Sequence, residues 1–220
     1  MKYLRIRCSS IGLLMTEPKL KSEVLSVGAK TYLRRLAAEE IFGVQFEASS
    51  KEMEKGIEVE PDAIALLNRV RGLSLVKNAE RRSNEYLTGE CDLFDGPRRR
   101  GHDIKASWSM ATFPICTADC VDKLYEFQMR GYMALWDADE WEVNYCLLDT
   151  PERLIRYEPM QMHMVGHIPE HMRLTSWVIK RDADKEAAIY EKVKHARAYY
   201  AEVIAEFDRE HREALTPEAA

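Results

Sequence analysis

The chain has 220 residues, enough to bury one sizeable core, and 46% hydrophobic with 31% charged residues excludes a disordered or fibrous polymer. No apolar run approaches the roughly 18 residues that span a bilayer, and MKYLRIRCSS has no signal-peptide-like apolar segment, so a cytoplasmic protein without membrane association is expected. The net charge of −5 argues against bulk binding of nucleic acid, yet residues 1–35 carry eight Lys/Arg against Glu17 and Glu23, which suits contact with phosphate on one face.

Ser22 opens a periodic stretch that reaches Ile41 and meets Gly43, the pattern of a capped helix of about five turns. Glu52 to Gly72 predicts a second helix, broken or kinked at Pro61, with Ala63, Leu66, Leu67 and Val70 as its apolar stripe. Short strands follow at Leu73–Val76, Glu85–Thr88, Glu90–Phe94 and His102–Ala106. Asp95-Gly96-Pro97 is a turn signal, so the last two strands pair as a hairpin around Arg98–Arg100. Thr117–Asp137 reads as a third helix, Trp141–Leu148 and Leu174–Ile179 as strands, and Ala183–Glu213 as a long charged closing helix. Leu215–Ala220 is expected to be a frayed tail. Helices around a central run of strands predict one α/β domain over residues 1–220. Five cysteines, an odd number with uneven spacing, predict buried reduced thiols rather than a disulfide framework.

The informative stretch is Gly89-Glu90-Cys91-Asp92, ten further residues, then Asp103-Ile104-Lys105. Positions i and i+2 of a strand share a face, so Asp103 and Lys105 project together, and a hairpin brings Asp92 beside them. Two carboxylates and one lysine suit a hard cation such as Mg²⁺ or Mn²⁺, which keeps waters and leaves room for a phosphate. In isolation the same residues are equally a turn acid, an edge-strand acid and a surface lysine.

Neighbouring motifs decide between these readings. The set Gly-x-x-Asp … Asp-Ile-Lys resembles the PD-(D/E)XK nuclease motif, with Asp103 as the second acid and Cys91 where proline is usual. Upstream, Gly56-Ile-Glu-Val-Glu60-Pro-Asp62-Ala63 is similar to the G-x-x-x-E-x-x-A helix of lambda-type phage exonucleases. Downstream, Tyr125-Glu-Phe-Gln128 resembles their Y-x-x-Q helix. The segments Asp103–Pro114 and Leu148–Ile155 also look like phage-borne members, and the likeness covers roughly residues 1–180.

The resemblance implies a restriction-endonuclease-like core with a central mixed sheet flanked by helices. It implies Asp92, Asp103 and the Ile104 backbone carbonyl as ligands of Mg²⁺, with Mn²⁺ as a substitute and a two-metal site. Glu60 would reach that metal directly or through water, with Glu58 as the competing acid. Lys105 would orient the attacking water, and Gln128 would bond near that water or the phosphate. Arg5, Arg7 and Ser10 resemble the residues that hold a terminal 5′-phosphate, for which a guanidinium fork is suited. Arg98, Arg99 and Arg100 would track the DNA backbone beside the metal; Ser107 joins the DNA contacts, and Trp108 either stacks on a base or packs. The implied activity is 5′→3′ digestion of linear double-stranded DNA by a phage or prophage enzyme in a bacterial host cytoplasm. The 3′ strands left behind would feed a single-strand annealing protein, and a homotrimer ring is implied. An endonuclease, or a non-catalytic DNA-binding or assembly protein on this fold, is the alternative.

Two other patterns fail on physical grounds. His167-Ile-Pro-Glu170-His171 matches a zinc-peptidase spacing, but Pro169 lies between the histidines where a continuous helix is required. The cysteines lack the spacing of an iron–sulfur nuclease, and no G-x-x-x-x-G-K-[ST] loop is present for a motor.

Overall fold

The computed structural model describes residues 3–46 and 49–213; the tail expected at Leu215–Ala220 lies outside them. A short strand β1 (Ile6–Arg7) leads through a 3₁₀ turn (Cys8–Ser10) into the single-turn helix α1 (Ile11–Leu14). Helix α2 (Val27–Phe42) begins where the Ser26 side chain accepts from the Ala29 N–H, and Gly43 closes it at φ 66°. It therefore starts later than the Ser22 reading, because Ser26 is the residue that supplies the cap.

Helix α3 (Lys51–Arg71) is capped by Ser50 and runs unbroken through Pro61. The expected break is thus overturned. Pro61 removes one N–H, but Val59, Ala63, Leu66 and Leu67 stay buried on either side, and that packing holds the helix together. Leu73–Val76 forms no strand; instead β2 (Arg81–Ser83) pairs antiparallel with β3 (Leu87–Glu90), and β1 pairs parallel with β3 on its other side. The expected strand Glu90–Phe94 divides, because the chain leaves the β1-β3-β2 sheet after Glu90 and enters a second sheet at β4 (Leu93–Asp95).

The second sheet has the order β4-β5-β6-β7, with β5 (Arg100–Ala106), β6 (Glu140–Cys146) and β7 (Leu174–Lys180). The predicted hairpin is present: β4 and β5 are antiparallel, with Leu93 opposite His102. β5 and β6 are parallel, which requires a crossover, and α4 (Lys123–Trp136) provides it. The expected helix Thr117–Asp137 starts as a 3₁₀ turn (Thr117–Cys120) and restarts at Asp122, whose carboxylate accepts from the Leu124 N–H. After β6 come the short α5 (Glu152–Ile155) and two 3₁₀ turns, and after β7 the 31-residue α6 (Ala183–Glu213).

α4 and α3 cover opposite faces of the second sheet. Trp141 and Val143 of β6 join the main core with α1, α2, α4 and α6, whereas Cys146 and Leu148 pack with Val59, Ala63 and Leu66 of α3. α6 is more than a solvated charged rod, because Ile189, Val193, Ala196 and Tyr200 are buried along one side. None of the described helices is long and apolar enough to cross a membrane.

Two glycines permit close approach. A Cβ on Gly12 would lie 2.7 Å from the Leu124 Cα, so α1 can lean on the α4 backbone only without a side chain there. A Cβ on Gly101 would lie 2.3 Å from the fully buried Trp141 ring. Gly101→Ala should therefore cost about 2–3 kcal/mol in urea unfolding, the penalty of overpacking a ring that cannot move aside.

Candidate nuclease site

Asp103 and Lys105 point to the α4 side of β5, as Val143 does from the opposite position on β6. Asp103 is 2% exposed, and Lys105 Nζ stands 2.8 Å from Asp103 Oδ2. The ammonium pairs with that oxygen by charge and by hydrogen bond. α4 delivers Gln128, whose amide donates to Asp103 Oδ1 at 3.5 Å and to the Tyr132 hydroxyl at 3.4 Å. One turn earlier, the Tyr125 ring lies 4.4 Å from Lys105 Nζ. The Y-x-x-Q spacing thus gives one residue to the lysine and one to the acid.

Asp92 arrives from the other direction. The β4–β5 ladder ends at Leu93 opposite His102, which leaves the Ile104 N–H without a strand partner. Asp92 Oδ2 accepts it at 2.8 Å. Burial, then the charge of Asp103, push the Asp92 carboxyl up to about 7, against the pull of the Ile104 N–H, Lys105 and Lys77. Burial alone would lower the Lys105 pKa, but the Asp103 charge and contact outweigh it and hold the ammonium above its ordinary value.

Glu60 and Glu58 lie on the same helix and go to different places. Glu58 pairs with Arg153 at 2.5 Å. Glu60 pairs with Lys77, the same lysine whose charge reaches Asp92. Lys77 is a residue that the motif reading missed, since nothing in its sequence surroundings marks it. No group of three or more His, Cys, Asp or Glu side chains clusters as a metal site among the described residues, so Glu60 stands outside the Asp92–Asp103 pair.

The remaining candidates divide. Arg5 and Arg7 are exposed on either side of buried Ile6, and Ser10 is buried beside the Tyr32 hydroxyl, which also feels the Arg7 charge. The Cys8–Ser10 turn rests on α4: a Cβ on Gly131 would lie 3.0 Å from Cys8 Sγ, about one turn from Gln128. Ser107 continues the Asp103/Lys105 alternation, and its buried hydroxyl has no partner among the described residues. Trp108 packs rather than stacks: it is buried, its indole N–H donates to Glu158 at 2.9 Å, and His163 meets its ring edge-on.

The arginine run is not beside the two acids. Arg98 pairs with Asp95, Arg99 with Asp137 and Asp139, and Arg100 with Glu140 and Glu142, at the end of β5 away from Lys105. These pairs tie the hairpin tip to β4, to the α4–β6 turn and to the start of β6, so the guanidiniums are already occupied. His167 lies in a turn and His171 inside a 3₁₀ segment (Glu170–Met172), where Glu170 accepts from Arg69. All five cysteines are free thiols; burial pushes Cys91 up to about 12, and Asp92 adds to the shift.

This geometry can be set against known structures. A phage-related exonuclease from Haemophilus somnus 129PT superposes with a TM-score of 0.88 at 36% identity, over 93% of this chain and 97% of that one. The chain belongs to the phage-related exonuclease family, the lambda-exonuclease type of PD-(D/E)XK nuclease. An alkaline exonuclease from Laribacter hongkongensis shares the fold at a TM-score of 0.66 and 19% identity, over 96% of this chain and 93% of that one. The same enzyme in complex with dAMP gives 0.60 at 20% identity. Neither a protein-family profile nor a curated protein matches the sequence.

The raised Asp92 carboxyl has a consequence for stability in this exonuclease family member. The unfolded side chain ionises near 3.8 and the folded one near 7, so stability is lost as pH rises from about 4 to about 7. Asp92→Asn keeps an acceptor for Ile104 and removes the ionisation. In metal-free buffer its melting temperature should exceed wild type by about 2–6 °C near pH 8 and by nothing near pH 4. An equal difference at both pH values would refute the carboxylate conflict.

Proposed function

We propose that this chain is a divalent-metal-dependent deoxyribonuclease that degrades linear double-stranded DNA from the 5′ end. The observation that carries the reading is the buried Asp92–Asp103 pair with Lys105 on a phage-related exonuclease fold. The name of the Haemophilus relative supports exonuclease over endonuclease action.

The donor set suits Mg²⁺, or Mn²⁺ in its place. The buried Asp103 carboxylate, countered by Lys105, sits beside a second carboxylate whose proton is held only up to about pH 7. Asp92, Asp103 and the Ile104 carbonyl are the proposed ligands, with Glu60 reaching them directly or through water and a second ion sharing the same acids. When bound, the metal neutralises phosphoryl charge and acidifies a water. Lys105, held cationic by Asp103 and Tyr125, orients the attacking water and faces the charge that builds on the scissile phosphate. Gln128 fixes the Asp103 carboxylate and leaves its amide oxygen to accept from a water near the phosphate, and the unpartnered Ser107 hydroxyl is a further phosphate donor. Arg5, Arg7 and Ser10 are the proposed 5′-phosphate pocket. The product is a 3′ single strand, which supports a role before an annealing protein in phage recombination.

One assay tests chemistry and polarity together. Wild-type protein should digest linear duplexes with Mg²⁺, prefer 5′-phosphate ends, leave closed circles intact and stop with EDTA. Asp103→Asn and Lys105→Ala should each lose about 10²–10⁴ in rate while keeping their fold. Digestion of circles would mean an endonuclease, and wild-type rates for Asp103→Asn would leave only a binding protein.

A homotrimer ring is the proposed assembly. A protomer of net charge −5 holds DNA weakly by charge, and a closed threefold ring retains it between cuts. Light scattering should give about three times the protomer mass of 25.5 kDa. One protomer mass, unchanged by added duplex, would remove the ring.

A further inference from the structure

Along α3, the buried stripe Val59, Ala63 and Leu66 extends back one turn to a lysine. Lys55 is fully buried, on the face where the helix otherwise carries apolar side chains. Its ammonium donates to the Ser107 carbonyl at 2.7 Å, the Trp108 carbonyl at 3.0 Å, the Leu148 carbonyl at 2.9 Å and the Thr150 hydroxyl at 2.8 Å. Thr150 in turn donates to the Trp108 carbonyl at 2.9 Å. Burial lowers the Lys55 pKa to about 8, with the Asp149 charge opposing the shift.

Three of the four acceptors share one structural origin. β5 ends at Ala106 and β6 at Cys146, so the carbonyls just beyond have left the ladder and need donors inside the protein. An apolar residue at 55 would take the donor from the Ser107 and Leu148 carbonyls, while the Trp108 carbonyl would keep Thr150. A lysine binds both strand ends to the helix at once. Polar contacts of α3 such as Arg71 to Glu142 and Ser176 and Arg69 to Glu170 come from half-exposed arginines at its far end, and the buried seam between is apolar contact without direction. Lys55 is therefore the buried polar contact at the Glu60 end of the helix that limits its slide along its own axis. A slip of one residue would move Glu60 by about 1.5 Å, far outside the tolerance of a ligand or a water-bridged ligand. Lys55 is five positions before Glu60 on the same helix, and Ser107 is two positions after Lys105 on the strand.

We propose that Lys55 is a positioning residue: its ammonium fixes the axial register of α3 against the ends of β5 and β6, and with it the reach of Glu60 toward the Asp92–Asp103 pair. The proposal rests on the metal-dependent nuclease reading above. Its test uses the full chain and two readouts, the rise in melting temperature on titrating Mn²⁺ and the rate of linear-duplex digestion in Mg²⁺. Lys55→Met should raise the half-saturating Mn²⁺ concentration about tenfold, as Glu60→Gln does, the size of effect typical of groups that orient a ligand. The double variant should be no weaker in Mn²⁺ binding than the weaker single one.

An unchanged Mn²⁺ response in folded Lys55→Met would show a purely structural lysine and overturn the proposal. So would effects that multiply in the double variant, because Lys55 would then not act through Glu60. Where Lys55→Met fails to fold, Thr150→Val removes one acceptor and keeps the ammonium. It should weaken Mn²⁺ binding about threefold in the wild-type background and not in Glu60→Gln, and equal weakening in both overturns the proposal. A wild-type chain that neither responds to Mn²⁺ nor digests DNA removes the nuclease reading itself, an outcome distinct from any of these.

Discussion

A single hydrogen bond, from the Ile104 N–H to Asp92, fixes the relation between the two sheets and the two acids. The chain leaves the first sheet after Glu90 and enters the second at Leu93, and Asp92 is the residue at the crossing. Its side chain takes the place of the next strand partner on β5. That substitution brings a carboxylate to the neighbour of Asp103 without any need for the acids to attract each other. They repel, and the fold tolerates the repulsion because the backbone bond and the packing of Leu93 and Cys91 are independent of it.

The basic side chains around this pair divide the work by depth. Lys105 is in contact with Asp103 and holds the pair's net charge down from within. Lys77 is farther out and shared with Glu60, so it links the helix acid to the strand acids electrostatically. Lys55 touches none of the acids; its bonds are to backbone carbonyls. Removing Lys105 or Lys77 changes the charge on the site, whereas removing Lys55 leaves that charge intact and frees the helix.

What could be read from the sequence follows from the range of each interaction. The D-I-K alternation, the Asp95-Gly96-Pro97 turn and the Y-x-x-Q spacing are local geometry, and the hairpin, the shared face and the α4 contacts are all present. The sequence leaves the choice between Glu58 and Glu60 open because both are acids two positions apart on one helix; it depends on burial, Glu58 being exposed and Glu60 half-buried, and on where Arg153 and Lys77 stand in space. Pro61 misled because local propensity was overruled by burial on either side of it. The arginine run misled for a related reason. A stretch of like charge looks available in a sequence, and its acidic partners Asp137 and Asp139 of the α4–β6 turn and Glu140 and Glu142 of β6 stand some forty positions away. Lys55 carries no motif at all, since an isolated lysine before Gly56 resembles any other helix lysine.

Pairing also redistributes the charge that the sequence displays. Of the eight N-terminal cations, Lys30, Arg34 and Arg35 are engaged by Glu23, Glu206 and Glu39. Arg5, Arg7, Lys19 and Lys21 form no ion pair among the described residues, and of these Arg5 and Arg7 carry the guanidinium forks that suit a phosphate. They stand at the edge of the first sheet, on the segment that leads through the Cys8–Ser10 turn to α4. An acidic body whose hairpin arginines are paired, with Arg5 and Arg7 unpaired at one sheet edge, makes a poor track for long DNA. It is better matched to a single phosphate group of higher charge. A terminal 5′-phosphate carries more charge than an internal phosphodiester and is the one phosphate that a small guanidinium pair can single out on a duplex. For the proposed exonuclease, end recognition then follows from the charge left over after folding.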